Sequence, residues 1–172
     1  MKRGQQILIL TVIVQCTLLT RALSQTHWET AIYAEDTWRY FVGTTAPPAN
    51  WKNLDFDENN WSSGLGGFGY SDGDDNTTIP NTLAVFFRKS FQVDDLDEIL
   101  SAAVHSDYDD GFVAYLNGVE IARSFNMGTS GSVVPYDQTT DSDHEAVMYQ
   151  GGVPDVFILN YNDLDGLLQE GE

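Results

Sequence analysis

The sequence predicts an all-β sandwich, and three observations predict it. Short runs of alternating β-forming residues recur along most of the chain, Gly, Asn, Asp and Pro punctuate them at short intervals, and almost no stretch carries a helical period. The clearest grammar lies in residues 107–123, DYDDGFVAYLNGVEIAR. Phe112, Ala114 and Leu116 alternate with Val113 and Tyr115, Asn117-Gly118 supplies a two-residue turn, and Val119, Ile121 and Arg123 alternate with Glu120 and Ala122 on the return. An Asn-Gly pair between such runs specifies a β-hairpin, because a type I′ turn needs positive φ at both central residues.

The elements follow in order. Lys2 and Arg3 precede an apolar run from 7 to 19, and Ala22 and Ser24 stand at signal-peptidase spacing, so residues 1–24 read as a secretory signal and 25–172 as one domain. The run is short for a membrane span, and no later stretch is apolar enough for one. Residues 32–34 are a candidate first strand and 38–42 a stronger one, ended by Gly43 and the Pro47-Pro48 break. From 51 to 81 Gly, Asp, Asn and Ser dominate, with Trp51, Phe56, Trp61, Phe68 and Tyr70 set among them. This reads as a long loop pinned by aromatic anchors. Strands are expected at 84–93, 99–105 and 156–159, and one helical turn around 164–168.

Charge and cysteine narrow the function. Cys16, the one cysteine, lies in the signal, so an exported chain has no disulfide and relies on a conventional core. The formal charge is −18, and loss of Lys2, Arg3 and Arg21 makes it three units more negative. Five Lys/Arg then remain, too few to displace the counterions of a nucleic acid, and an acidic surface repels anionic lipid headgroups.

A wider pattern carries a resemblance. Trp38-Arg39-Tyr40, Trp51, Phe56-Asp57, Asn60-Trp61, Gly67-Phe68-Gly69-Tyr70, Phe87-Arg88-Lys89-Ser90-Phe91, Asp109-Asp110-Gly111, Tyr115-Leu116-Asn117-Gly118 and Ala122-Arg123 together resemble a galactose-binding-like jelly-roll module of secreted bacterial proteins. That module is similar to the sugar-binding domain of family 2 glycoside hydrolases and β-galactosidases. It also occurs beside spore-coat-H-type kinase, lamin-tail, phosphoesterase and glycosidase domains. The resemblance implies a jelly-roll sandwich lacking its last strand and a following domain. It also implies a non-catalytic accessory role, secreted or on the bacterial cell surface, as a glycan binder or as a spacer for a neighbouring domain.

Candidate sites follow from residue chemistry, and each keeps a plain alternative. Sugar rings stack on exposed aromatics while Asp, Asn or Arg take the hydroxyls, which nominates Trp61, Tyr70, Asp72 and Arg123; the same aromatics equally serve as loop anchors. Asp107, Asp109 and Asp110 are candidates for a structural Ca²⁺ site, or are turn residues that bond their own backbone. Asp72, Asp74 and Asn76 have the alternation of a calcium loop, yet Thr77 and Leu83 occupy the positions where an EF-hand needs Gly and Glu. Catalysis is not expected. Asp109 and Asp110 should diverge on an extended chain and so fail to flank one bond, and His27, His105 and His144 lack metal-ligand spacing.

Overall fold

A computed structural model describes residues 27–71 and 73–171. The fold is all-β, as the sequence predicts, with nine strands and one four-residue helix among the described residues. None of the described helices is long and apolar enough to cross a membrane. The expected signal peptide lies outside the described residues.

Strand β1 (Thr37–Val42) is the centre of a three-stranded antiparallel sheet, flanked by β2 (Ser62–Leu65) and β5 (Val85–Arg88). Between β2 and β5, β3 (Phe68–Gly69) and β4 (Thr77–Thr78) form a two-residue parallel ladder. Strand β6 (Ser101–Ser106) pairs antiparallel with the distant β9 (Asp155–Asn160). The hairpin of β7 (Val113–Leu116) and β8 (Val119–Arg123) forms as its turn chemistry demands, with φ of 48° at Asn117 and 89° at Gly118. A helix α1 (Tyr161–Leu164) follows β9, opened by a capping box between Asn160 and Asp163.

Alternation along β1 and β5 sorts their aromatics onto two faces. On one, Phe68 sits 5.2 Å from Tyr40 and 4.7 Å from Phe87. On the other, Phe41 and Phe86 meet the anchors of the 51–61 loop. Trp61 lies 5.5 Å from both Phe41 and Phe56, and Trp51 touches Phe86 at 5.2 Å and Tyr115 of the hairpin at 5.9 Å. Trp51 therefore joins the three-stranded sheet to the hairpin. A second aromatic cluster, Tyr108, Phe112 and Phe157, joins the hairpin's approach to β9.

Three expectations need correction. Residues 32–34 form no strand; they lie in bends and turns, where Asp36 accepts the Tyr33 amide. The 51–81 stretch is not bare loop, because β2, β3 and β4 lie within it. Its Gly-rich sequence conceals them: Gly64 faces Trp38 across the β1–β2 ladder, and a Cβ there would meet Thr77 at 2.6 Å. The strand expected over 84–93 is only four residues long, since pairing with β1 begins at Val85 and ends at Arg88.

Candidate functional site

The most structured polar region grows from the approach to the hairpin. Between β6 and β7 the chain bends at Asp109 and Asp110, and Tyr108 just before the bend is buried. The phenol ring lies 4.8 Å from Phe112 and stacks on the His144 imidazole at 4.2 Å with 13° between planes. Its hydroxyl donates to Asp155 Oδ2 at 2.7 Å. Burial first, then that hydrogen bond and the Asp155 charge, push the Tyr108 pKa up to about 12, so the phenol stays protonated and keeps donating. His144 is fixed from behind, its Nδ1–H donating to the Tyr108 carbonyl at 3.0 Å, which leaves Nε2 facing Asp155 Oδ2 at 3.8 Å.

Tyr108 and Asp155 border a cleft of about 280 Å³, lined also by Arg123, Phe125, Val156 and Phe157. Phe125, one residue beyond Ser124 at the end of β8, is 73% exposed, and the Asp155 side chain is half exposed. The cleft thus combines an open aromatic face, a carboxylate and a phenol. That is the chemistry of a site that stacks one apolar ring face and takes hydroxyls at its edge.

Arg123 is brought to this cleft, but its guanidinium is already committed. It donates to both Glu120 carboxylate oxygens, to the carbonyls of Met127 and Ser132 and to the Ser132 hydroxyl, with only 4% of the side chain exposed. Arg123 lines the cleft, and its charge is spent on Glu120 and on the 127–132 segment. Trp61 is likewise removed from the stacking set: at 7% exposure it is packed against Phe41 and Phe56 and offers no open face. Tyr70 is 47% exposed, as a stacking residue must be. Asp72 lies outside the described residues. Of the described candidates only Arg123 lines the cleft; Trp61 and Tyr70 do not, so these three are not brought together there.

The acidic knot serves the backbone. Asp107 accepts from the amides of Val147 and Met148 through its two oxygens, at 2.8 and 3.0 Å, and Asp110 Oδ1 accepts from the His144 amide at 3.1 Å. Asn126, 2% exposed, donates to the carbonyls of Asp110 and Ser142 and completes the stitch between the bend and the segment 137–145. Among the described residues no group of three or more His, Cys, Asp or Glu is arranged to hold a metal ion. Of the three residues expected to hold Ca²⁺, Asp107 and Asp110 accept from backbone amides of the 144–148 segment, the backbone-bonding alternative that the sequence also offered for them.

Asp109 and Asp110 also depart from expectation. The chain bends at both residues, so their carboxyls stay near enough to interact, sharing a hydrogen bond when Asp109 is protonated, instead of diverging. Partial burial, the Asp110 charge, the Glu145 charge and that shared bond hold the Asp109 carboxyl above its ordinary range, against an opposing pull from His144.

Sequence reading missed Phe125, Asp155, Tyr108 and His144. The one sequence signal for Phe125 is a large aromatic two residues beyond the end of a strand, among the mostly polar residues 124–132. The rest depends on the β6–β9 pairing, which puts Asp155 opposite Ser106. Comparison with family models, with curated proteins and with solved structures finds no match.

Proposed function

We propose that this chain is a secreted, non-catalytic accessory module of jelly-roll type that binds a neutral glycan in the cleft between the end of β8 and the start of β9. The supporting observation is the exposed Phe125 ring beside the Asp155 carboxylate and the Tyr108 hydroxyl. A pyranose presents an apolar face to such a ring and a rim of hydroxyls that can donate to the half-exposed Asp155 carboxylate, which the Tyr108 hydroxyl holds in place. The test is retardation of the protein in gels containing neutral polysaccharides. Phe125→Ala and Asp155→Asn should each abolish retardation by any polysaccharide that slows the wild type, while circular dichroism stays unchanged. Retardation that survives both substitutions overturns the assignment to this cleft.

A second reading, a spacer that orders a neighbouring domain, has its own support. On β9, Val156 and Ile158 are 47% and 55% exposed and point to the same side, opposite His105 and Ala103 of β6. Such a face fits burial against another protein body. Under this reading no polysaccharide retards the protein, and tryptophan fluorescence responds to none.

A further inference from the structure

In a chain whose 26 acids outnumber its 8 bases, three of the five basic side chains beyond the expected signal gather at one depression. It measures about 210 Å³ and is lined by Arg39, Arg88 and Lys89, by the hydroxyls of Thr37, Ser63 and Ser90, by Trp38 and by the carboxylate of Glu58. It shares no residue with the Phe125 cleft.

The sheet register forces this concentration of charge. Arg39 of β1 lies directly opposite Arg88 of β5, and like charges in that position repel. The neighbouring carboxylates relieve only part of it. Glu58 is engaged by Arg88 Nε at 2.6 Å, and Arg88 Nη1 also donates to the carbonyls of Trp51 and Asn53, so Arg88 is spent on the loop. Lys89 is held by Asp36 at 3.4 Å and by the Thr37 carbonyl at 3.3 Å. Arg39 is different. Among the described residues its guanidinium makes a single long contact, Nη1 to the Trp61 carbonyl at 3.5 Å, although it carries five N–H donors in a planar fork. A part-buried guanidinium next to a second one, with hydroxyl donors around it and no carboxylate of its own, is matched by a group with two or more charged oxygens.

We infer that this depression is an oxyanion site in which Arg39 takes a carboxylate or sulfate group in a forked pair, with Lys89 adding charge and Ser63 and Ser90 adding hydroxyl donors. The volume is below the roughly 300–1,000 Å³ of sites that enclose a whole small molecule. It therefore suits one charged substituent, either free or carried on an acidic glycan. This site stands apart from the neutral-glycan reading.

The test is a ¹⁵N–¹H correlation titration of the whole chain with sodium sulfate, with sodium glucuronate and, at equal ionic strength, with sodium chloride. Saturable shifts confined to the amides of residues 37–39, 63 and 88–90, given by sulfate or glucuronate and not by chloride, are expected. Arg39→Gln should weaken binding at least tenfold, and Lys89→Gln by a smaller factor, which keeps the test alive should the first variant fold poorly. A second arm adds a sulfated and a uronate polysaccharide: shifts at the same amides with the polymer alone assign a glycan-borne group, and shifts with the free ions assign a free one. Shifts that track chloride, or that are unchanged in both variants, overturn the inference. Loss of neutral-polysaccharide retardation in Phe125→Ala leaves these shifts untouched, so the two proposals fail independently.

Discussion

Glu120 and Arg123 clasp one another through two bonds, Nε to Oε1 at 3.0 Å and Nη2 to Oε2 at 2.7 Å, although an odd number of positions separates them on one strand. On a regular strand that separation sends the two side chains to opposite faces. The hairpin register shifts between Ala114 and Tyr115: Tyr115 faces Glu120 while Ala114 faces Ala122, and Ile121 is the extra residue. One bulge residue resets the alternation and brings acid and base to the same side. Ser130 and Gly131 then donate to the same carboxylate, tying the 128–132 loop down.

That pair sets an acid-sensitive part of the stability. The Arg123 hydrogen bond, helped by Ser130 and Gly131, holds the Glu120 carboxyl below its ordinary range despite burial. A lowered folded-state pKa means the stabilisation is complete above the ordinary value near 4.5 and is lost as pH falls through the depressed one. Glu120→Ala should cost about 3–5 kcal/mol at pH 7, because it leaves a buried guanidinium without its partner. In denaturant melts the gap between wild type and variant should narrow on acidification, and a gap independent of pH would count against the ion pair as its source.

Asp109 has the opposite sign. Its raised folded-state pKa means the fold binds that proton more tightly than the unfolded chain does, so the favourable contribution exists below about 3.8 and disappears as pH rises through the raised value. Asp109→Asn should therefore melt at a higher temperature than the wild type at pH 7 and lose the advantage at pH 3. Calorimetry at the two pH values reads this directly.

Gly118 has φ of 89° and room around it, since a Cβ would lie 3.6 Å from the nearest atom, on Asn53. The cost of a side chain there comes from backbone conformation alone. Gly118→Val should destabilise by about 1–2 kcal/mol, a fall in Tm of roughly 2–8 °C. An unchanged melt means the turn has rearranged.

Trp61 and Tyr70 separate packing from exposure within one stretch. Trp61→Ala removes the ring that Phe41 and Phe56 contact and should cost about 3–5 kcal/mol. Tyr70→Ala should stay within about 0.5 kcal/mol, because its ring is 47% exposed. Equal losses in urea melts would mean that Tyr70 is also an anchor.

What could be read from the sequence was local. The hairpin, its turn type and the strands expected at 38–42, 99–105 and 156–159, found at 37–42, 101–106 and 155–160, follow from alternation and turn chemistry, which act within a few residues. The short strands inside 51–81 could not be read, because a two-residue ladder such as Phe68–Gly69 against Thr77–Thr78 has no period to detect. The cleft was hidden for a different reason. Asp155 and Tyr108 are 47 residues apart and meet only through strand pairing. Arg39 and Arg88 are also distant in sequence, so their opposition emerges only with the register.

The pairing of β6 with β9 also bears on how the chain is made. Once the chain has been made through Arg123 the β7–β8 hairpin can close within about 1–10 μs. Strand β6 is complete at Ser106, but its ladder runs to Asn160, and at about 5–20 residues per second the intervening chain takes several seconds to synthesise. Throughout that interval Val104 and its neighbours have no strand to bond. On the ribosome the nascent protein is for those seconds a finished hairpin tethered to an orphan strand, and that is when a chaperone has most to hold.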